Sequence, residues 1–315
     1  MRRLGAIPPK PRREAPLLFI PVDAEFNRVN ALYLAHAADI AYHRAPAAAA
    51  QERLGLRAFP FRSKLTRARG FLGVCDTHAV LSFRGTEPVT LQNWLTVMVV
   101  QLTQSSHYQG RVHHGFSYAL ERVWHKLTPA LAQLPRDKPL FLTGHSMGGA
   151  LAVLAACRLA DQERAPLAVY SYGAPRIGDE RFCSSYQLPT YRLVNRLDLV
   201  PELPLASVKK KLLPKKLPLR NQRLRRRLDR AVERIPCYGH VNRLVYIDRD
   251  GTIIPDADIA PWHVEAVARA IATRGKSFFE GITDHLIANY IGALEGTLKS
   301  KPSRKPHRTR TKLTP

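Results

Sequence analysis

The chain has 315 residues, long enough for a large buried core, and its hydrophobic content of 45% excludes a disordered chain. Lysine and arginine number 49 against 25 acidic residues, a net charge of +24 that asks for an anionic partner such as a lipid surface, nucleic acid or an acidic polymer. The four cysteines form no C-x-x-C and no histidine lies at zinc-finger spacing, so no metal site is expected and nothing demands a disulfide.

Residues 1–20 are rich in proline and arginine and read as a basic arm. Their one apolar run, Leu17–Leu18–Phe19–Ile20, is too short for a signal sequence and meets Pro21 and Asp23. No run is long enough to span a membrane. The expected setting is therefore cytoplasmic, with peripheral membrane contact open. Residues 24–44 place Phe26, Val29, Leu32, Tyr33, Ala37 and Ile40 at helical spacing. His36 and His43 on that helix are read as packing or surface residues. Residues 68–76 and 78–83 read as two strands around Asp76–Thr77. The second ends in Phe83–Arg84–Gly85–Thr86. A loop carrying Leu91, Trp94 and Leu95 follows, then a predicted strand at Val97–Val100. His113, His114 and Phe116 lead into a helix from about Ser117 to Leu134 and are read as structural.

Next comes the stretch that organises the chain. The β-like run Leu140–Thr143 meets a helical pattern that begins at Met147, and between them Gly144, Ser146 and Gly148 form G-x-S-x-G. This is the pattern of a nucleophile elbow, in which a sharp strand-to-helix turn lifts a serine hydroxyl out of the backbone. The helix that starts there aims free N–H groups and the positive end of its dipole at the site, which suits a developing oxyanion. Further strands are predicted at Leu167–Tyr172, Tyr191–Val194 and Leu244–Ile247, with a helix around Asp179–Tyr186 and a last helix from about Asp284 to Leu298. Alternating strands and helices imply a mostly parallel sheet covered on both faces, with sites beyond the carboxyl ends of the strands.

A serine nucleophile needs a base and an acid that fixes the base's tautomer, in the chain order Ser, Asp or Glu, His. Asp198 follows a strand directly and sits in a proline-bounded loop. Its rivals Asp248, Asp250, Asp256 and Asp258 cluster around the hairpin-like Asp250–Gly251 turn. His240, His263, His285 and His307 remain as bases: His307 falls in the tail, His263 in the first turn of a predicted helix, and His285 at the head of the last helix. His145, inside the elbow, is expected to point elsewhere.

Five motifs then carry a resemblance. Phe83–Arg84–Gly85–Thr86, Gly144–His145–Ser146–Met147–Gly148–Gly149–Ala150–Leu151, Ser171–Gly178, Asp198–Leu199–Val200–Pro201 with Leu203–Pro204, and Asp284–His285 with Tyr290 together resemble the class 3 lipase family. These are cofactor-independent α/β-hydrolases that include filamentous-fungal triacylglycerol lipases. The resemblance implies an α/β-hydrolase fold and acyl-ester hydrolysis of a lipid or small ester. It implies Ser146 as nucleophile, Asp198 as orienting acid and His285 as base. It also implies an oxyanion hole of the Thr86 and Met147 N–H groups with the Thr86 hydroxyl, and a short lid bearing Leu91, Trp94 and Leu95.

The resemblance does not account for the basic segment between Asp198 and Tyr238. In residues 208–235, Leu224, Leu228, Val232 and Ile235 fall at helical spacing among Arg223, Arg226, Arg227 and Arg230. That is the pattern of an amphipathic helix lying on an anionic membrane, and equally of a solvated helical insert on the rim of the site. Nucleic-acid binding is disfavoured, because the basic stretch has no interleaved aromatics and matches no module. The expected organisation is one hydrolase domain over 21–298, with that insert and a basic tail from 299 to 315. The alternative is a hydrolase-fold protein that acts mainly by binding an anionic surface.

Overall fold

The structure, a computed structural model, describes residues 17–86, 101–204, 237–256 and 275–299. The arm before residue 17, the segment with Leu91, Trp94, Leu95 and Val97–Val100, the basic insert with Arg223, Arg226, Arg227 and Arg230, His263 and the tail lie outside the described residues.

An eight-stranded sheet organises the chain, in the order β1-β2-β3-β6-β7-β8-β9-β10. Its five central strands run parallel: β3 (Ala79–Phe83), β6 (Leu140–His145), β7 (Ala168–Tyr172), β8 (Thr190–Asn195) and β9 (Arg243–Ile247). Antiparallel strands flank them, β1 (Arg57–Arg62) and β2 (Arg69–Val74) on one side and β10 (Ile253–Pro255) on the other. A separate hairpin pairs β4 (Leu102–Ser105) with β5 (Tyr108–His113).

Side chains along each strand alternate between two cores, as the two-residue period requires. Leu72, Leu81, Leu142 and Val169 enter the core under α3 (His114–Ala132) and α4 (Met147–Asp161). Phe71, Val80, Phe141 and Tyr170 enter the core under α1 (Arg28–Ile40), α2 (Pro46–Leu54) and α7 (Ile287–Lys299). All eight are fully buried, and each such side chain contributes about 1.5–3 kcal/mol. Polar residues on the second face are absorbed by α1: Ser82 donates to the Ala37 carbonyl at 2.9 Å and Thr143 to that of Leu34 at 3.1 Å.

Local chemistry starts and stops the elements. Asn27 caps α1 by accepting the Val29 and Asn30 N–H groups. Pro46 opens α2 and Gly55, at φ 68°, closes it in the left-handed region. Asp179 caps α5 (Glu180–Ser185) by accepting the Phe182 N–H.

Several elements differ from the sequence reading, which placed no strand at β4 or β5. Residues 17–20 are held, not free: Ile20 exchanges two 2.8 Å hydrogen bonds with Asn30, and Phe19 packs against Tyr33 and Phe141. The α2 and β1 pair is additional, since the alanine run and the Pro60-bearing strand lack a clear period. The predicted last helix is two, α6 (Lys276–Asp284) and α7, so His285 closes α6 and does not head α7. Among the described residues no helix is long and apolar enough to cross a membrane, and no cluster of three or more His, Cys, Asp or Glu could hold a metal.

Candidate active site

Ser146 stands between β6 and α4 with φ 57° and ψ −131°, a backbone region that side-chain-bearing residues rarely enter. The turn is held from both sides. The Ser146 N–H donates to the Tyr172 carbonyl on β7 at 2.8 Å, and the Gly149 N–H donates to the Ser146 carbonyl at 2.9 Å. Met147 is the first residue of α4, so its N–H has no intrahelical acceptor.

Thr86 comes from the end of β3, next to β6 in the sheet. Phe83 pairs with Gly144, which places the two chain exits side by side. A Cβ added to Gly85 would lie 2.8 Å from the Ser146 Cβ, so the backbone here presses directly on the elbow. The Thr86 hydroxyl lies 4.0 Å from the Met147 sulfur. The structure therefore brings Thr86, Ser146 and Met147 together.

The β8 exit and the α6–α7 break supply the other side. Asp198 and His285 are both buried, at 0% and 1% exposure. The Nδ1 of His285 lies 2.9 Å from each Asp198 carboxylate oxygen. Asp198 accepts two more hydrogen bonds, from the Val200 N–H at 2.9 Å and the Tyr290 hydroxyl at 2.6 Å. Facing two carboxylate oxygens that accept from it, Nδ1 carries the ring proton and Nε2 presents its lone pair. Gly173, at φ 59°, makes the seat: a Cβ there would fall 2.5 Å from Asp198 Oδ2 and 2.8 Å from His285 Nδ1. The aspartates Asp248, Asp250 and Asp256 stay at the β9–β10 hairpin, where Asp248 accepts turn N–H groups and Asp256 pairs with Arg243.

The loop after Asp198 is clamped from the segment that follows β7. Arg176 forms a 2.5 Å ion pair with the Glu202 carboxylate, and its guanidinium also donates to the carbonyls of Glu202 and Pro204. Both side chains are largely buried. His240 lies near Arg176 and Arg192 and donates to the Pro201 carbonyl. Burial and these two cations hold its pKa well below 6.5, so it is a neutral support for the same loop.

Sequence reasoning missed the role of His145. Its Nε2 lies 2.6 Å from the His285 carbonyl and its Nδ1 2.8 Å from the Tyr42 hydroxyl. The ring sits 4.5 Å from the His285 ring. A carbonyl only accepts, so Nε2 carries the proton and Nδ1 accepts from Tyr42. Burial, followed by the neighbouring His285, keeps this imidazole neutral, with a pKa well below 6.5. Tyr42 lies just beyond α1, remote in sequence, and no local pattern signals the pair.

Among the described residues, Ser146 Oγ and His285 Nε2 are buried without any hydrogen-bond partner. They are the two atoms that a nucleophile and its base must present to each other and to a substrate.

Comparison with known proteins follows the same lines. Residues 80–208 match the model of the family described as Lipase (class 3), a segment that holds four of the five motifs; the Asp284–His285 motif with Tyr290 lies beyond it. A secreted mono- and diacylglycerol lipase 1 of Fusarium solani is 34% identical over 132 residues, covering 40% of this chain and 39% of that protein. A lipase of Rhizomucor miehei is 32% identical over 153 residues, covering 45% and 42%. The chain thus spans about two fifths of the length of these curated relatives. The solved structure of lipase II from Rhizopus niveus superposes with a TM-score of 0.61 at 21% identity, covering 82% of this chain and 92% of that one. That likeness shows the α/β-hydrolase fold.

Proposed function

We propose that this chain is a serine carboxylic-ester hydrolase of lipase type that cleaves acyl esters through an acyl-enzyme intermediate. One observation carries the reading: His285 is seated on the buried Asp198 carboxylate, while its Nε2 and the Ser146 hydroxyl are both buried and unsatisfied. Burying a polar atom without a partner is costly, and here one such atom belongs to the strained serine and the other to the histidine that Asp198 orients.

In this reading Ser146 Oγ attacks the ester carbonyl and His285 Nε2 takes its proton. Asp198 stabilises the resulting imidazolium, with Tyr290 and the Val200 N–H holding the carboxylate in place. The Met147 and Thr86 N–H groups, with the Thr86 hydroxyl, receive the tetrahedral oxyanion. Each such donor contributes about 2.7–4 kcal/mol to the transition state. His285 then gives its proton to the leaving alcohol, and water repeats the cycle on the acyl-serine.

The relatives' names, lipase and mono- and diacylglycerol lipase, make acylglycerols the first substrates to test. The net charge of +24 suits presentation of such substrates on an anionic lipid surface, with Arg223, Arg226, Arg227 and Arg230 as contacts and Leu91, Trp94 and Leu95 as a cover. The alternative, a protein that acts mainly by binding an anionic surface, gains no support from the relatives. The deciding experiment is fluorophosphonate labelling, followed by hydrolysis of p-nitrophenyl esters of graded chain length and of mono-, di- and triacylglycerols. Ser146→Ala should abolish labelling and lower kcat by about 10⁶-fold. Undiminished hydrolysis by that variant would sink the proposal.

A further inference from the structure

The turn between β1 and β2 lies at the same end of the sheet as Ser146. β2 runs antiparallel to β3 with Gly70 opposite Phe83, and Phe83 lies opposite Gly144 on β6. Residues 63–68 therefore project beyond the level at which β6 reaches the elbow. Their backbone is braced. The Ser63 N–H donates to the Ala68 carbonyl at 2.7 Å, and the Thr66 N–H to the Ser63 hydroxyl at 3.3 Å. The Arg84 guanidinium donates to the Arg67 carbonyl at 3.2 Å, and the Arg84 N–H to the Arg69 carbonyl at 2.9 Å. The Arg69 guanidinium in turn donates to the Tyr42 carbonyl at 2.9 Å. Tyr42 is the partner of His145, so the turn and the elbow share one framework.

That framework uses the backbone of the turn and leaves its side chains to solvent. Lys64, Leu65 and Arg67 are all exposed, Leu65 at 67%. The charge is one-sided: between Glu52 and Asp76 there is no acidic residue, while Arg53, Arg57, Arg62, Lys64, Arg67 and Arg69 are basic. Lys126 of α3 adds a further cation at the foot of the hairpin, where its ammonium donates to the Arg62 carbonyl. A lone exposed leucine is ordinary. This one sits between two cations on a braced turn, and a second apolar side chain stands out at the same end. Phe278 and Ile282 of α6 pack on Leu197 and Leu199, just past β8, while Phe279 beside them stays 59% exposed.

We propose that the β1–β2 turn docks this chain on an anionic phospholipid surface. Leu65 enters the headgroup layer, Lys64 and Arg67 lay their stems along it and carry their charges to the lipid phosphates, and Phe279 makes the second apolar contact. The end of the sheet that bears Ser146 is thereby set against the lipid. Charge complementarity selects an anionic partner, and the apolar tip selects one with an oily interior. A soluble polyanion would pair with the cations and leave Leu65 in water. The inference rests on the acyl-ester hydrolase reading for its purpose, and it concerns residues distinct from the basic insert.

Full-length protein carrying Ser146→Ala is sedimented with phosphatidylcholine vesicles with and without phosphatidylglycerol, so binding is read apart from hydrolysis. Lys64→Gln with Arg67→Gln should weaken binding to the anionic vesicles about 25-fold, at about fivefold, or 1 kcal/mol, for each charge. Leu65→Ser should weaken it severalfold. Leu65→Trp places a reporter at the tip: its emission, taken as the difference from the unaltered chain, should be quenched by brominated phosphatidylcholine in anionic vesicles. With Ser146 restored, the Lys64 and Arg67 variants should keep full hydrolysis of a soluble p-nitrophenyl ester and lose rate severalfold on acylglycerol carried in anionic vesicles. The soluble ester tests the hydrolase reading by itself, so its failure is told apart from failure of the docking surface. Unchanged vesicle affinity in the double variant overturns the proposal. A tip tryptophan that brominated lipid leaves unquenched, in a chain that still binds heparin through Lys64 and Arg67, overturns it in favour of a soluble polyanion.

Discussion

His145 donates its Nε2–H to the main-chain carbonyl of His285 at 2.6 Å. The residue immediately before the proposed nucleophile thus fixes the backbone of the proposed base. Its other nitrogen is satisfied by Tyr42 at 2.8 Å, so three elements meet in one neutral hydrogen-bond chain. Tyr42→Phe leaves that nitrogen buried and unpaired, a penalty of about 1–3 kcal/mol. The expected outcome is a roughly tenfold loss in kcat, with KM within twofold, because the substrate surface is untouched while the base loses its alignment. Steady-state kinetics beside thermal melts make the check: a lower melting temperature with kcat intact would reduce the pair to a packing role.

Tyr290 ties the acid to the strand that presents it. Its hydroxyl donates to Asp198 Oδ2 at 2.6 Å and accepts the Asn195 N–H at 3.1 Å. Tyr290→Phe removes one of the donors on the carboxylate and orphans a buried N–H. Stability should fall by about 1–3 kcal/mol. The kcat/KM should fall about tenfold, chiefly through kcat. Denaturant titration and ester kinetics on the same preparation measure both, and a variant with unaltered kcat/KM would contradict the positioning role.

The elbow stores strain that a single atom group can release. Ser146 holds φ 57° and ψ −131°, a conformation costing about 1–3 kcal/mol for a residue with a side chain and little for glycine. Ser146→Gly should therefore raise stability by about 1 kcal/mol while it abolishes ester hydrolysis. Chemical denaturation gives the answer: a glycine variant less stable than Ser146→Ala is the outcome that excludes strain at this turn.

Acid should weaken the fold before its carboxylates titrate. His145 is held neutral well below pH 6.5, and His78 titrates near pH 4. Above pH 6.5 neither the folded nor the unfolded chain protonates them, and they contribute nothing to pH dependence. Between pH 6.5 and 5 the unfolded chain takes up protons that the folded one refuses, so stability falls as pH falls. The limiting slope is about 1.4 kcal/mol per pH unit for each group. Melting temperatures at pH 7.5, 6.5, 5.8 and 5 should decline below pH 6.5, and His145→Asn should make the decline shallower, with His78 and His240 still contributing. A flat profile in the unaltered protein counts against this protonation account.

Much of the frame is legible in the sequence because its signals are local. Leu140–Thr143 is β-branched or apolar at every position and the helical pattern starts at Met147, which is where β6 and α4 meet. Asp198 follows its strand and His285 follows α6, and the structure brings them to 2.9 Å. What the sequence hides is set by contacts between distant residues. Tyr42 and His145 are 103 residues apart, and neither position differs in type from an ordinary buried aromatic. The break at His285–Leu286 is equally silent, because Asp284, His285 and Ile287 all fit a continuous helix; α6 stops where Asn195 donates to the Asp284 carbonyl and Leu197 to its carboxylate. Both are tertiary partners.

The strip Arg176–Gly178 has a topological consequence. It receives the chain where it departs after Asp198, through the Arg176 bonds to Leu203 and Pro204. It receives the chain again on return, where Gly178 bridges Gly239 and the Ile177 N–H reaches the Gly239 carbonyl. Exit and re-entry therefore share one dock, so the chain on either side of residues 205–236 is fastened at a single strip, at Leu203–Pro204 and at Gly239. Such a cassette can lengthen, shorten or change its charge at the modest entropic rate of loop closure. A short Gly-Ser bridge in place of residues 206–235 should leave hydrolysis of a soluble ester intact, and sedimentation with anionic vesicles then reads what the excursion adds. The anchorage of Asp198 then does not depend on what that passage contains.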